Sequence, residues 1–513
     1  MTDLGNNKKI AKNTLLLYFR MFLVTGVSLY TSRIVLNTLG IEDFGIYNIV
    51  GGLVLSLSFL SASLSLSTNR FLSFELGKKD DEKFKKVFSM SINIHVIIAI
   101  VAFFLAETIG LWFLNAKLNI PENRMNAANW VYQFSLLTFV FTIIGVPYNA
   151  IFVAHEKMKV YAYISMLEVS LKLAIVFLLI YGGFDKLKLY SVLVCFVSLI
   201  IWSTYRIYVK KSFPESKYIF AWDKSLFKEM LNYAGWNLLT YFGKVTKEQG
   251  VNITLNIFFG TVINAAMGIV NQVNLNINAF VFNFQMALYP QIIKSYAAKN
   301  IHYMHQLIFQ GAKYSFFLLY FISLPLILVT ETVLTWWLKI VPEHTVLFCR
   351  LVLINTMIES ISGTLSTASE ASGKIKVYQT AVVLILFITL PITYVLLKMG
   401  MPAYSTFIVS ISLSLGGLFI RLNIVKSLVD LSVASFLQKV LFKILLVVSV
   451  SIIFPLLVKM AVVQPVLQFL AVGITSVLSI GITIYLIGLN SQEKGFVFER
   501  IIQLKNRFFK KKV

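Results

Sequence analysis

Stretches of about 20 apolar residues recur along this chain, and short breaks rich in lysine separate them. A stretch of that length can cross the hydrocarbon core of a bilayer as a helix. Only 13% of the 513 residues are charged, whereas an ordinary soluble domain has about 25%. Because no break is long enough to hold a soluble domain, the pattern predicts an all-α integral membrane protein.

The apolar stretches predict about 14 transmembrane helices. The N-terminus lacks the short apolar region and the small-residue cleavage site of a signal peptide, so we expect the first helix to be retained. The predicted spans are 13–37, 45–74, 87–113, 127–154, 160–182, 189–209, 231–258, 262–289, 311–335, 346–370, 378–398, 403–425, 440–461 and 466–488.

Lysine and arginine counts predict the side of the membrane on which each loop lies. The N-terminus, alternate loops and the C-terminus hold 29 of these residues, and the remaining loops hold 7. Since cytoplasmic loops carry the excess of basic residues, both termini are expected in the cytoplasm. The net charge of +23 is therefore assigned to the inner membrane surface and not to nucleic-acid binding.

Two short sequence matches at one offset predict an internal repeat. LLLYF at residues 15–19 recurs as LLTYF at 238–242, and GIYN at 45–48 recurs as GIVN at 268–271, both 223 residues later. With an even number of spans in each copy, the two copies share one orientation, which makes this a parallel repeat. The predicted parts are an N-lobe at 1–209, a cytoplasmic linker at 210–230, a C-lobe at 231–425, two further helices at 426–488 and a basic cytoplasmic tail at 489–513.

Residues 237–285 are mostly apolar but carry an unusual number of polar side chains for two membrane helices. At about 100° per residue, the polar residues of each helix fall on one face. Polar groups are costly in hydrocarbon, so we expect these faces to border a hydrophilic cavity. The alternative is asparagine bonding between packed helices. The candidate substrate-binding residues are Lys244, Lys247, Glu248 and Asn252 on the first helix, and Asn271, Asn274 and Asn278 on the second.

Residues 33–48, RIVLNTLGIEDFGIYN, resemble the signature that joins the first two helices of bacterial polysaccharide-repeat-unit (O-antigen type) flippases. These belong to the multidrug/oligosaccharidyl-lipid/polysaccharide (MOP) exporter superfamily. An arginine and a Leu-Gly turn precede an acidic pair, an aromatic residue and a glycine. The matching residues are Arg33, Leu39, Gly40, Glu42, Asp43, Phe44 and Gly45.

The resemblance implies two six-helix lobes around a central cavity that opens alternately to each side of the bacterial inner membrane. It also implies a cargo, an undecaprenyl-diphosphate-linked oligosaccharide that is turned outward for O-antigen, capsule or exopolysaccharide synthesis. The implied partners are this lipid-linked oligosaccharide, membrane lipids and the polymerase or ligase machinery, with no nucleic acid.

The chemistry of such a cargo agrees with the polar residues of the chain. Asn side chains offer neutral donors and acceptors to sugar hydroxyls, and fixed cations suit a diphosphate. Arg20, Arg33 and Arg70 are further candidates for binding, with snorkelling to the membrane surface as the alternative for each. Arg33 can also pair with Glu42 or Asp43.

Glu168 and Lys172 are spaced i,i+4 in an apolar helix. This spacing favours a structural ion pair, and the alternative is a coupling role in which proton or sodium binding at Glu168 frees the lysine. No cofactor, metal site or catalytic residue is expected. The scattered histidines, the two lone cysteines and the short outer loops argue against an enzyme such as a glycosyltransferase or a polymerase.

Two related functions stay open at the level of sequence. One is flipping of lipid II, and the other is multidrug or cation antiport within the same superfamily. The antiporter interpretation expects carboxylates to dominate the cavity, whereas the polar faces here carry lysines and amides. The basic tail, EKGFVFERIIQLKNRFFKKKV, is interpreted as an anchor to anionic lipid at the inner face.

Overall fold

The computed structural model describes residues 3–55, 57–117, 120–181, 184–220, 222–259, 261–338, 341–491 and 493–495. This part of the chain is built of helices and contains no β-strand. The predicted basic tail lies outside the described residues from position 496 onward.

The helices of the first half of the sequence are α1 (Asp3–Leu55), α2 (Ser58–Lys78), α3 (Asp81–Leu105), α4 (Leu111–Lys117), α5 (Glu122–Ala154), α6 (Met158–Tyr181) and α7 (Lys186–Ser212). A π-helical turn at Ala106–Gly110 joins α3 to α4. Then follow α8 (Lys224–Phe259), α9 (Thr261–Ala297), α10 (Ile301–Leu328), α11 (Thr330–Leu338), α12 (Thr345–Ile361), α13 (Gly363–Ser372), α14 (Lys376–Lys398) and α15 (Ser405–Val429). The chain ends with α16 (Val433–Phe436), α17 (Lys443–Ser451), α18 (Ile453–Ala461) and α19 (Pro465–Thr483), with π-helical turns at Leu437–Phe442 and Ile484–Gly488.

Eleven helical segments of the described residues are long and apolar enough to cross a membrane. The polar helices α8 and α9 are not among them, and the start of α1 contributes the shorter apolar segment Asn13–Ser28. The prediction of an all-α, multi-pass membrane fold is confirmed, and the helices found are roughly consistent with the predicted number of about 14. Breaks divide several predicted spans into two helices, for example α10 and α11 within 311–335.

The predicted boundary between the first two spans is a kink at Gly40 inside α1. This glycine has φ 82° and ψ 168°, so helical geometry is interrupted there. A positive φ of this kind costs a residue with a side chain free energy, whereas glycine adopts it readily. The Leu-Gly turn of the sequence signature is therefore a backbone break that only glycine accommodates without strain.

The described chain groups into two compact units. The first unit comprises Met1–Lys244, Met286–Met304 and Thr367–Val383, and the second comprises Val245–Gln285, His305–Ser366 and Leu384–Val513. These bounds do not follow the lobe boundaries predicted from the repeat, which stay a prediction.

The first unit is centred on α5, which packs against α2, α3 and α7. Tyr132 and Leu136 of α5 are almost completely buried, and the Tyr132 hydroxyl donates to the Ala106 carbonyl oxygen at 2.6 Å. This bond satisfies a carbonyl of the π-helical turn, so the turn is held from the neighbouring helix. In the second unit, α12 packs on α15, where the Phe348 and Phe407 rings lie 4.6 Å apart.

A charged cluster in the first unit joins the residues after Gly40 to the starts of α5 and α7. The Arg124 guanidinium donates to both carboxylate oxygens of Asp43 and forms a 2.8 Å ion pair with Asp185. Asp185 also accepts from the backbone N–H groups of Leu187 and Lys188 at the start of α7. The signature residue Asp43 thus pairs with Arg124, a partner that the sequence did not suggest.

Candidate functional site

The polar and the exposed apolar residues of α8 lie on opposite sides of the helix. The polar set is Lys244, Lys247, Glu248 and Asn252, and it spans about 140° of the helix circumference. Phe242, Ile253 and Ile257 are 62%, 59% and 66% exposed, and they fall within about 60° on the other side. One side of α8 therefore suits lipid, and the other suits a polar surface.

Two cations lie on the polar face of α8. Lys244 is exposed, and its Nζ atom is 5.6 Å from the centre of the Tyr241 ring. Lys247, one turn away, is partly buried. Because the two lysines are spaced i,i+3, both ammonium groups can approach one anionic ligand.

The start of α8 uses its polar residues for helix packing. Asn237 is buried, and its side-chain oxygen accepts a 2.9 Å hydrogen bond from Gln379 of α14. Thr240 donates to the same Gln379 at 2.7 Å. The sequence placed both residues on the polar face of the helix. In the structure they form hydrogen bonds between packed helices, which is the alternative to bordering a cavity.

The amides of α9 divide between a packed and an exposed position. Asn274 accepts hydrogen bonds from Thr356 of α12 at 2.7 Å and from Asn278 at 2.8 Å, whereas Asn271 and Asn278 are exposed. The Thr356 bond fixes the rotation of α9 against α12. Asn274 therefore positions Asn278, whose amide stays accessible.

The exposed face of α9 also carries apolar residues that the sequence reasoning did not include. Leu275 and Phe282 are 73% and 67% exposed and lie beside Asn271 and Asn278 on the helix circumference. A surface that mixes amides with apolar side chains can meet both the hydroxyls and the C–H faces of a sugar.

A second group of ionisable residues lies in the first unit, where α1, α6 and α7 meet. The Arg20 guanidinium carbon lies 4.6 Å from the centre of the Tyr161 ring, and the Arg20 Nε atom is buried with no hydrogen-bond partner. Arg20 therefore faces α6 of the same unit. Tyr205 of α7 is buried in the same unit.

Glu168 and Lys172 form the ion pair that their spacing predicts. Lys172 Nζ lies 2.6 Å from Glu168 Oε1, and the side chains are 43% and 37% exposed. The accessible Glu168 carboxylate can take up a cation without unfolding its surroundings. The coupling role of this pair stays a prediction.

Arg70 differs from the other candidates because its guanidinium is fully engaged in packing. The residue is 5% exposed, its Nε atom donates to the Glu370 carbonyl oxygen at 3.1 Å, and it stacks near the rings of Phe71 and Phe74. In this structure Arg70 holds two segments of the chain together and does not face an accessible surface. The side chain of Arg33 lies outside the described residues.

The partners of several buried or partly buried charges could not be found from the sequence. Arg124, Glu156 and the Lys313–Glu493 pair each join segments that are distant in the sequence. No local pattern marks such pairs, since each partner looks like an ordinary loop or helix charge. Among the described residues, no group of three or more His, Cys, Asp or Glu residues forms a potential metal site.

Comparisons with known proteins agree with this architecture. Residues 17–178 match the family model MatE. No curated protein sequence matches the chain. A point mutant of a MATE transporter superposes with a TM-score of 0.72 at 12% identity, covering 82% of this chain and 97% of that one.

Two further solved structures are similar to the chain. One is an outward-facing multidrug resistance MATE family transporter of the MOP superfamily, with a TM-score of 0.72, 13% identity and coverage of 83% of this chain and 96% of that one. The other is a mutant Vibrio cholerae MATE transporter, with a TM-score of 0.66, 16% identity and coverage of 84% and 99%. These similarities show that the chain has the fold of a MATE transporter.

Proposed function

We propose that this protein is a flippase that moves undecaprenyl-diphosphate-linked oligosaccharide repeat units from the cytoplasmic to the periplasmic face of the bacterial inner membrane. It does so by alternating access, for O-antigen, capsule or exopolysaccharide synthesis. Its partners are the lipid-linked oligosaccharide, the surrounding lipids and the polymerase or ligase that consumes the product. Both termini lie in the cytoplasm.

The polar faces of α8 and α9 are the observation that carries this proposal. The cargo presents a sugar chain and a diphosphate that must cross about 30 Å of hydrocarbon. The amides of Asn252, Asn271 and Asn278 suit the sugar, and Lys244 and Lys247 suit the diphosphate. Such residues on helices of a MATE-like bundle serve a hydrophilic cargo better than an apolar one.

Glu168 and Lys172 are the candidate coupling residues. Binding of a proton or a sodium ion at the Glu168 carboxylate would weaken its 2.6 Å contact with Lys172. The released ammonium group of Lys172 would then be free to move. A flippase coupled in this way needs no bound cofactor.

Deletion of the gene in its native bacterium tests the proposal directly. We expect the loss of one surface polysaccharide in viable cells, with lipid-linked repeat units retained at the inner face. Lethality with accumulation of the cell-wall precursor would instead show a lipid II flippase.

Alanine substitution of both lysines of α8 tests the site. We expect Lys244→Ala with Lys247→Ala to lower the amount of exported glycan about tenfold or more, because a charge-assisted hydrogen bond to phosphate contributes about 1.5–3 kcal/mol. The matched control is Lys85→Ala with Lys86→Ala, which removes the same charge from α3. Normal surface glycan in the α8 double variant, at equal protein level, would contradict the role of these lysines.

Multidrug antiport is the second candidate, because one of the similar structures is a multidrug resistance transporter. The same deletion strain separates the two functions. Unchanged surface glycan together with sensitivity to cationic drugs would favour the antiporter, which would then use Glu168 and Glu248 as its cation-exchanging carboxylates.

A further inference from the structure

One end of the first unit carries many lysines, and here segments from both halves of the sequence pack together. We call this the lysine-rich end and define it by Lys78, Lys79, Lys157, Lys294 and Lys374. Helix α2 contacts the beginning of α8, where Ser63 donates to the Ala234 carbonyl oxygen at 2.5 Å and Ser67 donates to that of Met230 at 3.1 Å. These serines are 1% and 2% exposed, so the contact is sealed from solvent.

The end of α2 also lies directly against the end of α9. A Cβ atom placed on Gly77 would lie 2.7 Å from Ala297 Cβ and 2.8 Å from the Lys294 backbone. Contact this close is compatible with glycine and with no larger residue unless the helices move apart. The two helix ends therefore touch through their backbones.

Glu156 connects the turn between α5 and α6 to the same part of α9. Its side chain is 3% exposed and accepts a hydrogen bond from Gln291 at 2.5 Å while pairing with Lys294 at 2.6 Å. Its backbone has φ 58°, and its carbonyl oxygen accepts from Asn13 at 3.4 Å. A buried carboxylate needs such partners, because an uncompensated buried charge is strongly destabilising.

Arg70 makes the equivalent connection to the last turn of α13. Its guanidinium donates to the carbonyl oxygens of Glu370 and Ala371 at 3.1 and 3.5 Å. Gly373, with φ 74°, leaves room for this guanidinium, since a Cβ atom there would lie 2.5 Å from Arg70 Nη2. Helix α2 is thereby fixed to α8, to α9 and to the end of α13.

We propose that these contacts form a latch that keeps the lysine-rich end closed. The ion pair between Glu156 and Lys294 breaks when this end opens, and the hydrogen bonds of Arg70 are the second set of contacts that holds it closed. The inference rests on the proposed function, because a carrier that alternates must separate these segments when this end admits cargo. The Lys294 side chain is 23% exposed, so its ammonium group can be hydrated after separation. The Glu156 carboxylate is buried in the closed state and must become hydrated when this end opens. The ion pair therefore sets part of the free-energy difference between the closed and open states.

Cysteine accessibility tests the latch without any transport measurement. The two native cysteines are replaced by Cys195→Ala and Cys349→Ala, and Ser67→Cys serves as a reporter inside the α2–α8 contact. Labelling by a membrane-impermeant maleimide is followed in vesicles that are open on both faces, so the result does not depend on the topology. A second reporter, Ser91→Cys, is buried within α3 and detects general unfolding.

We expect Lys294→Ala to speed labelling of the Ser67→Cys reporter on the order of tenfold, because it removes the ammonium group that pairs with the buried Glu156 carboxylate. Glu156→Gln should have a smaller effect, since Lys294 can then turn to solvent. Lys294→Arg keeps a cation and should label slowly, like the parent. Lys374→Ala is the control for loss of an exposed lysine at this end.

The outcomes distinguish the latch from its alternatives. Equal labelling in the parent and in all three variants would overturn the latch, and so would faster labelling of Ser91→Cys in Lys294→Ala, which would indicate global unfolding. If the reporter opens as expected but the deletion strain keeps normal surface glycan, the latch stands and the proposed cargo is wrong. If surface glycan is lost but the reporter does not respond, the function stands and the latch is wrong.

Discussion

Arg124 holds two aspartates at once, and each of them positions a different backbone segment. Asp43 follows the kink in α1, and Asp185 caps the start of α7. Burial raises the pKa of the Asp185 carboxyl, but the hydrogen bonds from Arg124 and from the α7 backbone outweigh burial and lower the pKa below its ordinary value. The protein is therefore more stable with this carboxylate charged.

The lowered pKa of Asp185 predicts the direction of one pH dependence. A carboxyl group of this kind stabilises the folded state above its ordinary pKa of 3.8, and the stabilisation is lost as pH falls through the folded pKa. We expect Asp185→Asn to lower the Tm of the purified protein at neutral pH. The further loss of Tm down to about pH 3 should then be smaller than in the parent.

A matched substitution separates ion pairing from helix capping. Asp223 caps the start of α8 through the N–H groups of Ser225 and Leu226, so Asp223→Asn removes a carboxylate from a cap of the same kind. If both asparagine variants change the pH dependence of Tm equally, the Arg124 pairing is not its cause.

At the scale of the helix, substitution of Gly40 tests whether the signature sequence requires glycine because of its positive φ. A Cβ atom on Gly40 would meet no atom within 4 Å, so the positive φ of 82° is the only obstacle to a side chain. We expect Gly40→Ala to destabilise the protein by about 1 kcal/mol or more, measured by thermal unfolding. Gly26→Ala in the same helix is the control, because it also meets no atom within 4 Å and lies in regular helix. It should be neutral or stabilising by up to about 1 kcal/mol, and equal effects of the two would contradict the strain argument.

The helices themselves could be predicted from the sequence, and their partners could not. Apolar length fixes where a spanning helix can form, and the run of amides in α8 and α9 marks them as different from the rest. The rotation of a helix is set by contacts across the fold, which is why Asn237 turns to Gln379 while Lys244 stays exposed. The pairs Asp43–Arg124 and Glu156–Lys294 join segments that are distant in the sequence, so no local sequence pattern predicts them.

At the scale of the molecule, the last two predicted spans, 440–461 and 466–488, pack within the second unit. The Tyr320 hydroxyl of α10 lies 2.9 Å from the Ser451 hydroxyl of α17, and Ser479 of α19 donates to the Ser451 carbonyl oxygen. Lys313 of α10 pairs with Glu493 at 2.7 Å, with the side chains 5% and 7% exposed, and also donates to the Gly488 carbonyl oxygen. Gly488 and Glu493, which follow α19, are thereby attached to α10.

A double-mutant cycle on this buried pair tests that attachment. Lys313→Met leaves the Glu493 carboxylate buried without its cation, so we expect it to destabilise the protein by on the order of 3 kcal/mol. Glu493→Met removes the carboxylate and its hydrogen bond from the Asn490 N–H group. It also leaves the Lys313 ammonium group buried without this carboxylate. Because the double variant buries no charge, it should be more stable than the sum of the single effects predicts, and its Tm should exceed that of Lys313→Met. Strictly additive losses would show that the two residues act independently and that the pair does not join the C-terminal segment to α10.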